Sequence, residues 1–306
     1  MLGALAVPIV AWNCWTAFIA LVGNMIVLVT IMRSKNLRTC CGRLLGFHAG
    51  CEVVMSILYY LYVYNIVTKT FCTRRHCFWY TLPAQIIVHI IMTNITIMAF
   101  DRFLSLRCRL WYKRTSKAPY ITKIVGFLTG IGVFVTVIVY LNINDEEVSC
   151  HLLNVPRNYA KKLFLTTHLV TVLIAFALFV FLRFEVNKGS ELQSLEKQLP
   201  ITKSFQTLIG IYVAGYGIGA FLIFFAGALY KTSYTPETLI SIVDFLRIMC
   251  SASPFFVMYR GSDIYKAELS VILGYVVPRL QKEMPEEEKL YGGEPRARSY
   301  STIEAM

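Results

Sequence analysis

The amino-acid sequence predicts an all-α integral membrane protein, a bundle of seven transmembrane helices. Charged residues make up 16% of the 306 residues and hydrophobic residues 56%, whereas soluble domains carry about 25% charged residues. Seven apolar runs of roughly 21 to 28 residues follow one another, and each is long enough to cross a hydrocarbon core of about 30 Å. The segments between the runs are short and polar, which leaves no room for a separate soluble domain.

The first apolar run is longer than the core of a cleaved signal peptide and lacks the basic start of one, so we interpret it as a helix that stays in the membrane. Residues 1–265 are expected to form one seven-transmembrane domain, and 266–306 a cytoplasmic tail. The stretch Ser262–Leu273 either forms a short helix on the membrane surface or continues directly into a disordered tail. The predicted spans cover residues 8–32, 44–67, 77–104, 121–141, 163–184, 204–230 and 238–259.

Lys and Arg residues predict the orientation of the spans. The net charge is +12, and 22 of the 30 Lys and Arg residues fall in three alternate loops and the tail, against 7 in the other three loops. Because cytoplasmic loops carry the positive excess, we expect the N-terminus outside and the C-terminus in the cytoplasm. The positive charge then faces anionic lipid, so nucleic acid is not an expected partner.

Polar residues within the spans need a reason, because a charge in the hydrocarbon core is costly. Glu52 lies in span 2 and Asn24 in span 1. Glu52 is either a protonated carboxyl satisfied by its neighbours or part of an ion site with Asn24. Tyr216 lies among the glycines of span 6, which predict either a hinge or close helix packing.

Two further groups of charges lie in spans 3 and 7. Asp244 and Arg247 are three residues apart on one helix and can pair, either as a ligand anchor or as a structural pair. Asp101 and Arg102 end span 3, where the arginine is either an interface anchor or a cation that its neighbouring carboxylate holds until the helices rearrange.

The sequence offers no catalytic or metal-binding pattern. The nine cysteines form no CxxC pair and no Cys/His spacing typical of zinc. No histidine cluster, paired aspartates at metal spacing or Gly-x-Ser-x-Gly motif occurs. We therefore expect neither an enzyme nor a bound metal or cofactor.

Together the polar motifs resemble the rhodopsin-like G-protein-coupled receptors, and within them the nematode serpentine chemoreceptors of class sx. The resemblance covers residues 8–265. Four motifs carry it: Gly23-Asn24 in span 1, Ala49–Glu52 in span 2, Asp101-Arg102-Phe103 at the end of span 3 and Ser253-Pro254 in span 7. Features typical of class sx are Arg74–Cys77, Phe100–Leu104, Lys203-Ser204 and Gly215-Tyr216.

The resemblance implies a disulfide between Cys77 and Cys150, although Cys72 is an alternative partner and free thiols are a third possibility. It implies that an extracellular small molecule binds between spans 3, 5, 6 and 7. The expected lining residues are Gln85, His89, His168, Tyr216, Asp244 and Arg247. An ion site would be formed by Asn24, Glu52 and Ser253.

The resemblance further implies coupling to a heterotrimeric G protein through Asp101, Arg102, Phe103, Pro254 and the basic loop 107–117. The expected location is the plasma membrane, as a multi-pass protein in contact with lipid, in sensory-neuron cilia. Three alternatives stay open: a neuropeptide receptor of the same superfamily, a seven-span carrier or channel, and a seven-span protein that binds partners without signalling. The acidic run Asp145–Glu147 favours a peptide ligand, and the short N-terminus favours a small molecule.

Overall fold

Seven long helices account for most of the protein. The structure, a computed structural model, describes residues 6–35, 37–68, 71–108, 112, 114, 117–156, 158–189, 199–230 and 237–276. Each of the seven helices is long and apolar enough to cross a membrane, which confirms the predicted number of spans. They are α1 Ala6–Arg33, α2 Cys40–Val67, α3 Arg74–Arg107, α4 Lys117–Leu141, α5 Asn158–Gly189, α6 Leu199–Tyr230 and α7 Glu237–Gly261.

Every predicted span lies within one of these helices, but the helices are longer than the apolar runs. The helices α5 and α6 have 32 residues each, or about 48 Å at 1.5 Å per residue. Hydropathy marks only the part of a helix that lies in hydrocarbon, and the polar ends continue the same hydrogen-bond pattern beyond it. The outward faces carry exposed large hydrophobic side chains, as expected of a surface against lipid, including Phe127, Phe134, Phe181, Phe221 and Phe224.

The helix α3 runs through the middle of the bundle. It packs against α2, α4, α5 and α6, while α1 packs between α2 and α7, and α7 packs against α6. The central position explains why α3 buries polar side chains as well as apolar ones. Asn94, for example, is fully buried and donates a hydrogen bond from Nδ2 to the Leu44 carbonyl of α2 at 3.1 Å.

One end of the bundle carries a two-stranded antiparallel sheet, and we call it the disulfide end. The strand β1 Phe71–Thr73 pairs with β2 Glu147–Ser149, with Cys72 opposite Val148. Arg74, which begins α3, is buried beneath the sheet and donates from Nη1 to Asn144 Oδ1 at 2.8 Å. Its Nη2 lies 3.3 Å from Glu146 Oε2, so the start of α3 is tied to the segment between α4 and β2.

An eighth helix, α8 Asp263–Val276, follows α7. Tyr265 and Leu269, one turn apart, are fully buried, and α8 packs against α1 and α7. Ile264 and Val271 are exposed on the other side of the helix. The structure thus contains the helix that was one of the two possibilities for Ser262–Leu273, and the rest of the predicted tail, 277–306, lies outside the described residues.

Close contact between α6 and α7 depends on one glycine. A Cβ atom placed on Gly215 would lie 2.1 Å from Cys250 Sγ of α7, whereas one on Gly217 would lie 3.4 Å from its nearest neighbour, a methyl group of Val172. A distance of 2.1 Å is far below van der Waals contact, so a side chain at position 215 would force Cys250 Sγ or the two helices to shift. Gly217 faces α5 at an ordinary distance.

We expect Gly215→Ala to lower the melting temperature of the purified protein by several degrees, because overpacking costs about 1–3 kcal/mol. Gly217→Ala is the matched control and should be neutral or stabilising, because alanine favours a helix by roughly 1 kcal/mol over glycine. Removing the obstructing sulfur in Gly215→Ala/Cys250→Ala should restore the stability. Thermal melts followed by tryptophan fluorescence measure all three, and equal behaviour of Gly215→Ala and Gly217→Ala would contradict the packing argument.

Candidate functional site

A cavity lies between α3, α5, α6 and α7 and is covered by the segment that follows β2. The volume of the cavity is about 70 Å³. Since a cavity of about 10–15 Å³ holds one water molecule, this cavity has room for a small organic molecule. Its apolar lining includes Val88, Met92, Phe164, Leu165, Ile223 and Val243. Its polar lining consists of His151, His168, Tyr216, Asp244 and Arg247.

Asp244 lies at the centre of a polar group that we call the Asp244 triad, formed by His151, Asp244 and Arg247. Asp244 Oδ2 lies 3.2 Å from His151 Nε2, and Asp244 Oδ1 lies 3.7 Å from Arg247 Nε. Asp244 and Arg247 thus face each other across one turn of α7, as their spacing predicts. His151 was not predicted, because no local pattern connects it with a residue 93 positions away.

The disulfide holds His151 over the bundle. The structure joins Cys77, at the start of α3, to Cys150, the residue before His151. The Leu153 backbone N–H donates to His151 Nδ1 at 3.2 Å, so Nδ1 is the acceptor and Nε2 carries the proton that is donated to Asp244. A covalent link and a defined tautomer therefore position the imidazole.

Cys72 is close to this disulfide but is not part of it. The sulfur atoms of Cys72, Cys77 and Cys150 lie within 4.8 Å of one another, yet Cys72 is a free thiol. Burial raises the pKa of the Cys72 thiol, which disfavours the thiolate that would attack the disulfide. Among the described residues these sulfurs are the one group with metal-ligand spacing, and the disulfide already uses two of them.

Two of the predicted lining residues do not line the cavity. Gln85 is fully buried and donates from Nε2 to Thr81 Oγ1 at 3.0 Å, one turn earlier on α3. The ring of His89 contacts the ring of His168 at 4.6 Å between centroids and so stands behind the lining. Helical periodicity accounts for His89, because α3 faces the cavity with Val88 and His89 is about 100° further round the helix. Gln85 is on nearly the same face as Val88 and Met92 but about one turn earlier, so its position along α3 separates it from the cavity.

A second polar group, the Glu52 cluster, is formed by Glu52, His48, Tyr212, Ser251 and Asn24. The hydroxyls of Tyr212 and Ser251 donate to the two Glu52 carboxyl oxygens at 2.8 Å each. His48 Nε2 lies 3.7 Å from Glu52 Oε1, and Asn24 Nδ2 donates to the Ser251 carbonyl at 2.8 Å. Glu52 is 0% exposed, so neighbouring side chains replace the water that a carboxyl group would otherwise contact.

Ser253, predicted as the third member of an ion site, is not part of the Glu52 cluster. Its hydroxyl donates to the Cys250 carbonyl at 2.7 Å. That carbonyl would normally accept the N–H of residue 254, which is a proline and has none. Ser253 therefore satisfies the carbonyl that Pro254 leaves free, while Ser251, about 200° away round the helix, faces Glu52.

At the end of the bundle opposite the disulfide, three residues form what we call the arginine clasp: Asp101, Arg102 and Tyr112. Arg102 Nη2 donates to Asp101 Oδ2 at 2.7 Å and to the Tyr112 hydroxyl at 3.1 Å. The Tyr112 hydroxyl in turn donates to Asp101 Oδ1 at 3.0 Å. Burial raises the pKa of Tyr112, which keeps the hydroxyl protonated and able to donate.

The arginine clasp meets α6 through an aromatic ring. Arg102 Cζ lies 5.8 Å from the ring centroid of Phe205, a distance at which a cation is attracted to a ring face. Phe103 is half-buried and packs on Phe100 with 6.5 Å between ring centroids, and Pro254 is buried within α7. Much of the predicted basic loop 107–117 lies outside the described residues, apart from 107, 108, 112, 114 and 117.

One face of α6 connects the three polar groups. Phe205, Tyr212 and Tyr216 are separated by seven and four residues, which places them on the same side of the helix. Tyr216 lines the cavity, Tyr212 binds Glu52, and Phe205 contacts Arg102. The rings of Tyr212 and Tyr216 stack with 5.8 Å between centroids. A movement of α6 would therefore disturb all three groups together.

We expect Cys77→Ser and Cys150→Ser each to destabilise the protein by about 2–5 kcal/mol, because the disulfide closes a loop of 73 residues. Cys72→Ser is the control and should have little effect. Non-reducing peptide mapping should recover the peptides of Cys77 and Cys150 as one linked species, and melting curves measure the stability. A linked peptide containing Cys72 would contradict the assignment.

Glu52→Leu should destabilise the protein by roughly 2–5 kcal/mol, since two buried hydroxyls lose their acceptor at about 1–3 kcal/mol each. The double variant Glu52→Leu/Tyr212→Phe removes one of these hydroxyls as well and should recover part of the loss. The same melting assay tests both. A double variant that is no more stable than Glu52→Leu alone would show that the hydrogen bond to Tyr212 does not contribute.

The comparisons with known proteins agree with this geometry. A family model described as "Serpentine type 7TM GPCR chemoreceptor Srsx" matches residues 17–273, which is well over half of the chain and includes most of α1 and all of the other six membrane helices. A search of curated proteins finds no match. The matched region contains the cavity, the Glu52 cluster and the arginine clasp. The chain therefore belongs to the Srsx family of serpentine seven-transmembrane chemoreceptors.

Proposed function

We propose that this chain is a G-protein-coupled chemoreceptor of the plasma membrane that binds an extracellular small molecule in the cavity and activates a heterotrimeric G protein. The observation that carries the proposal is the single face of α6 that runs from the cavity to Arg102. A receptor needs a ligand site at one end, a partner site at the other and an element that responds to both.

The orientation of the chain supports this assignment of the two ends. The positive-inside rule predicts the arginine clasp in the cytoplasm and the disulfide end outside the cell. The disulfide then lies in an oxidising environment, where such bonds persist. The cavity faces the medium that carries the ligand, and Arg102 faces the compartment that contains the G protein.

Activation follows from a difference in the affinity of the ligand for two arrangements of α6. A ligand in the cavity contacts Tyr216, and it shifts the equilibrium only if it binds better to the arrangement in which the cytoplasmic end of α6 moves away. That movement withdraws Phe205 from Arg102. The arginine then exchanges Asp101 and Tyr112 for a G-protein helix.

The size of the cavity favours a small molecule over a peptide. A cavity volume of about 70 Å³ accommodates a few non-hydrogen atoms rather than a peptide chain. The acidic residues Asp145 and Glu146, which suggested a peptide ligand, instead face Arg75 and Arg74 at 3.2 and 3.3 Å. Their charges are therefore already balanced within the protein.

Nucleotide exchange tests the proposal without a known ligand. In lipid nanodiscs with purified heterotrimers, Tyr112→Phe and Asp101→Asn should raise basal GDP–GTP exchange several-fold, because each removes part of the arginine clasp. Arg102→Ala should reduce exchange to the level of empty nanodiscs. Tyr64→Phe removes the same hydroxyl from a side chain that is 65% exposed near the opposite end of the bundle, and it is the matched control. If every folded variant exchanges like empty nanodiscs across the heterotrimer classes, G-protein activation is refuted.

A further inference from the structure

The unused hydrogen-bonding groups of the cavity indicate what kind of ligand it accepts. The wall carries few polar side chains, and several are already engaged. His151 uses both ring nitrogens, Nδ1 with the Leu153 N–H and Nε2 with Asp244. Asp244 presents one carboxylate oxygen to His151 and the other to Arg247. The strongest acceptor in the cavity is therefore occupied.

Two of the groups that remain, on Arg247 and Tyr216, offer hydrogen-bond donors. Within the described part of the chain, Arg247 makes one ion pair, through Nε, and one ring contact, with Tyr59 at 5.9 Å. Because Nε is the nitrogen nearest to Asp244, the edge formed by Nη1 and Nη2 lies further from that carboxylate. The buried Tyr216 hydroxyl has no hydrogen-bond partner among the described residues. A buried polar group without a partner is costly, and a ligand acceptor would relieve that cost.

From these observations, and resting on the proposed function, we propose that the ligand is a small carboxylic acid in its anionic form with an apolar body. Two guanidinium N–H groups match the two oxygens of a carboxylate, and the Tyr216 hydroxyl supplies a third hydrogen bond. The apolar body lies against Val88, Met92, Phe164 and Ile223. The limited volume restricts this body to a short chain or one small ring.

Other ligand classes fit the same groups less well. An amine would meet the positive charge of Arg247 and would have to displace His151 or Arg247 from Asp244. An alcohol would find one free acceptor in His168, whose Nδ1 lies 2.8 Å from the Phe164 carbonyl and therefore carries the proton, leaving Nε2 to accept. An alcohol would leave the charge of Arg247 without a new partner. Three ligand series of equal length distinguish these possibilities.

The test measures binding without a G protein. The probes are straight-chain carboxylates from acetate to octanoate, with the primary alcohols and amines of the same chain lengths. The readout is the melting temperature of the purified protein in nanodiscs, followed by calorimetric titration of the best probe. We expect carboxylates to raise the melting temperature, with an optimum at intermediate length, and the matched alcohols and amines to bind at least tenfold more weakly.

Variants connect the binding to the named side chains. Arg247→Gln should weaken carboxylate binding about tenfold or more, and Tyr216→Phe should weaken it severalfold. Arg260→Gln changes an exposed arginine on the same helix and is the matched control. If Arg247→Gln fails to fold because Asp244 loses its partner, Asp244→Asn/Arg247→Gln removes both charges and should fold yet not bind carboxylates.

Several results would overturn the ligand class: no carboxylate binds at millimolar concentration, alcohols or amines bind better, or carboxylates bind the Arg247 variants as well as the parent protein. These results leave the exchange assay with Arg102→Ala untouched, so the proposed function would stand. Conversely, if carboxylates bind through Arg247 but nucleotide exchange never depends on Arg102, the ligand class is supported and the signalling function is refuted.

Discussion

Hydrocarbon offers no hydrogen-bond partners, and this constraint accounts for the clustering of the buried carboxyl groups of the protein with donors. Backbone groups are satisfied within the helices, which is why the membrane part of the chain is helical. Polar side chains must find partners inside the bundle, because an unpaired group there is costly. The Asp244 triad, the Glu52 cluster and the arginine clasp are three solutions to this problem, at three depths of the bundle. In each, a carboxyl group accepts hydrogen bonds from, or forms an ion pair with, side chains of other helices or loops.

Such pairing also fits the proposed change of α6 between two arrangements. A buried carboxyl group bound by donors from several elements is stable in one arrangement and costly in intermediate ones, so the bundle favours discrete states over continuous deformation. The helix α6 contributes to all three polar regions through Tyr216, Tyr212 and Phe205. It also packs closely against α7 at Gly215, where a side chain would meet Cys250 Sγ. The helix α6 therefore packs closely against α7, and its aromatic side chains connect the three polar groups.

Local patterns in the sequence were sufficient for much of the site. Asp244 and Arg247 are one helical turn apart, so their pairing follows from helix geometry. Asp101 and Arg102 are consecutive, and consecutive residues of a helix do not face each other, so their pairing was a hypothesis about the motif and not a consequence of helix geometry. The residues from other segments that bind these carboxylates could not be predicted in this way. His151 comes from the segment after β2, and Tyr112 from the segment between α3 and α4. The position of His151 directly after Cys150 puts it near the disulfide that the resemblance implies, but no local pattern links His151 or Tyr112 to its carboxylate partner.

The sequence by itself determined the number of candidate membrane spans, the helix in which each lies and the ion pair between Asp244 and Arg247. These depend on hydrophobic length and on helical periodicity, which are properties of consecutive residues. Only the tertiary structure decided that Ser251 rather than Ser253 faces Glu52, and that Val88 rather than His89 faces the cavity. A rotation of α3 by about 100°, or of α7 by about 200°, exchanges these residues without altering hydropathy. That rotation is set by packing against the other helices, as at Gly215, and no local pattern records it.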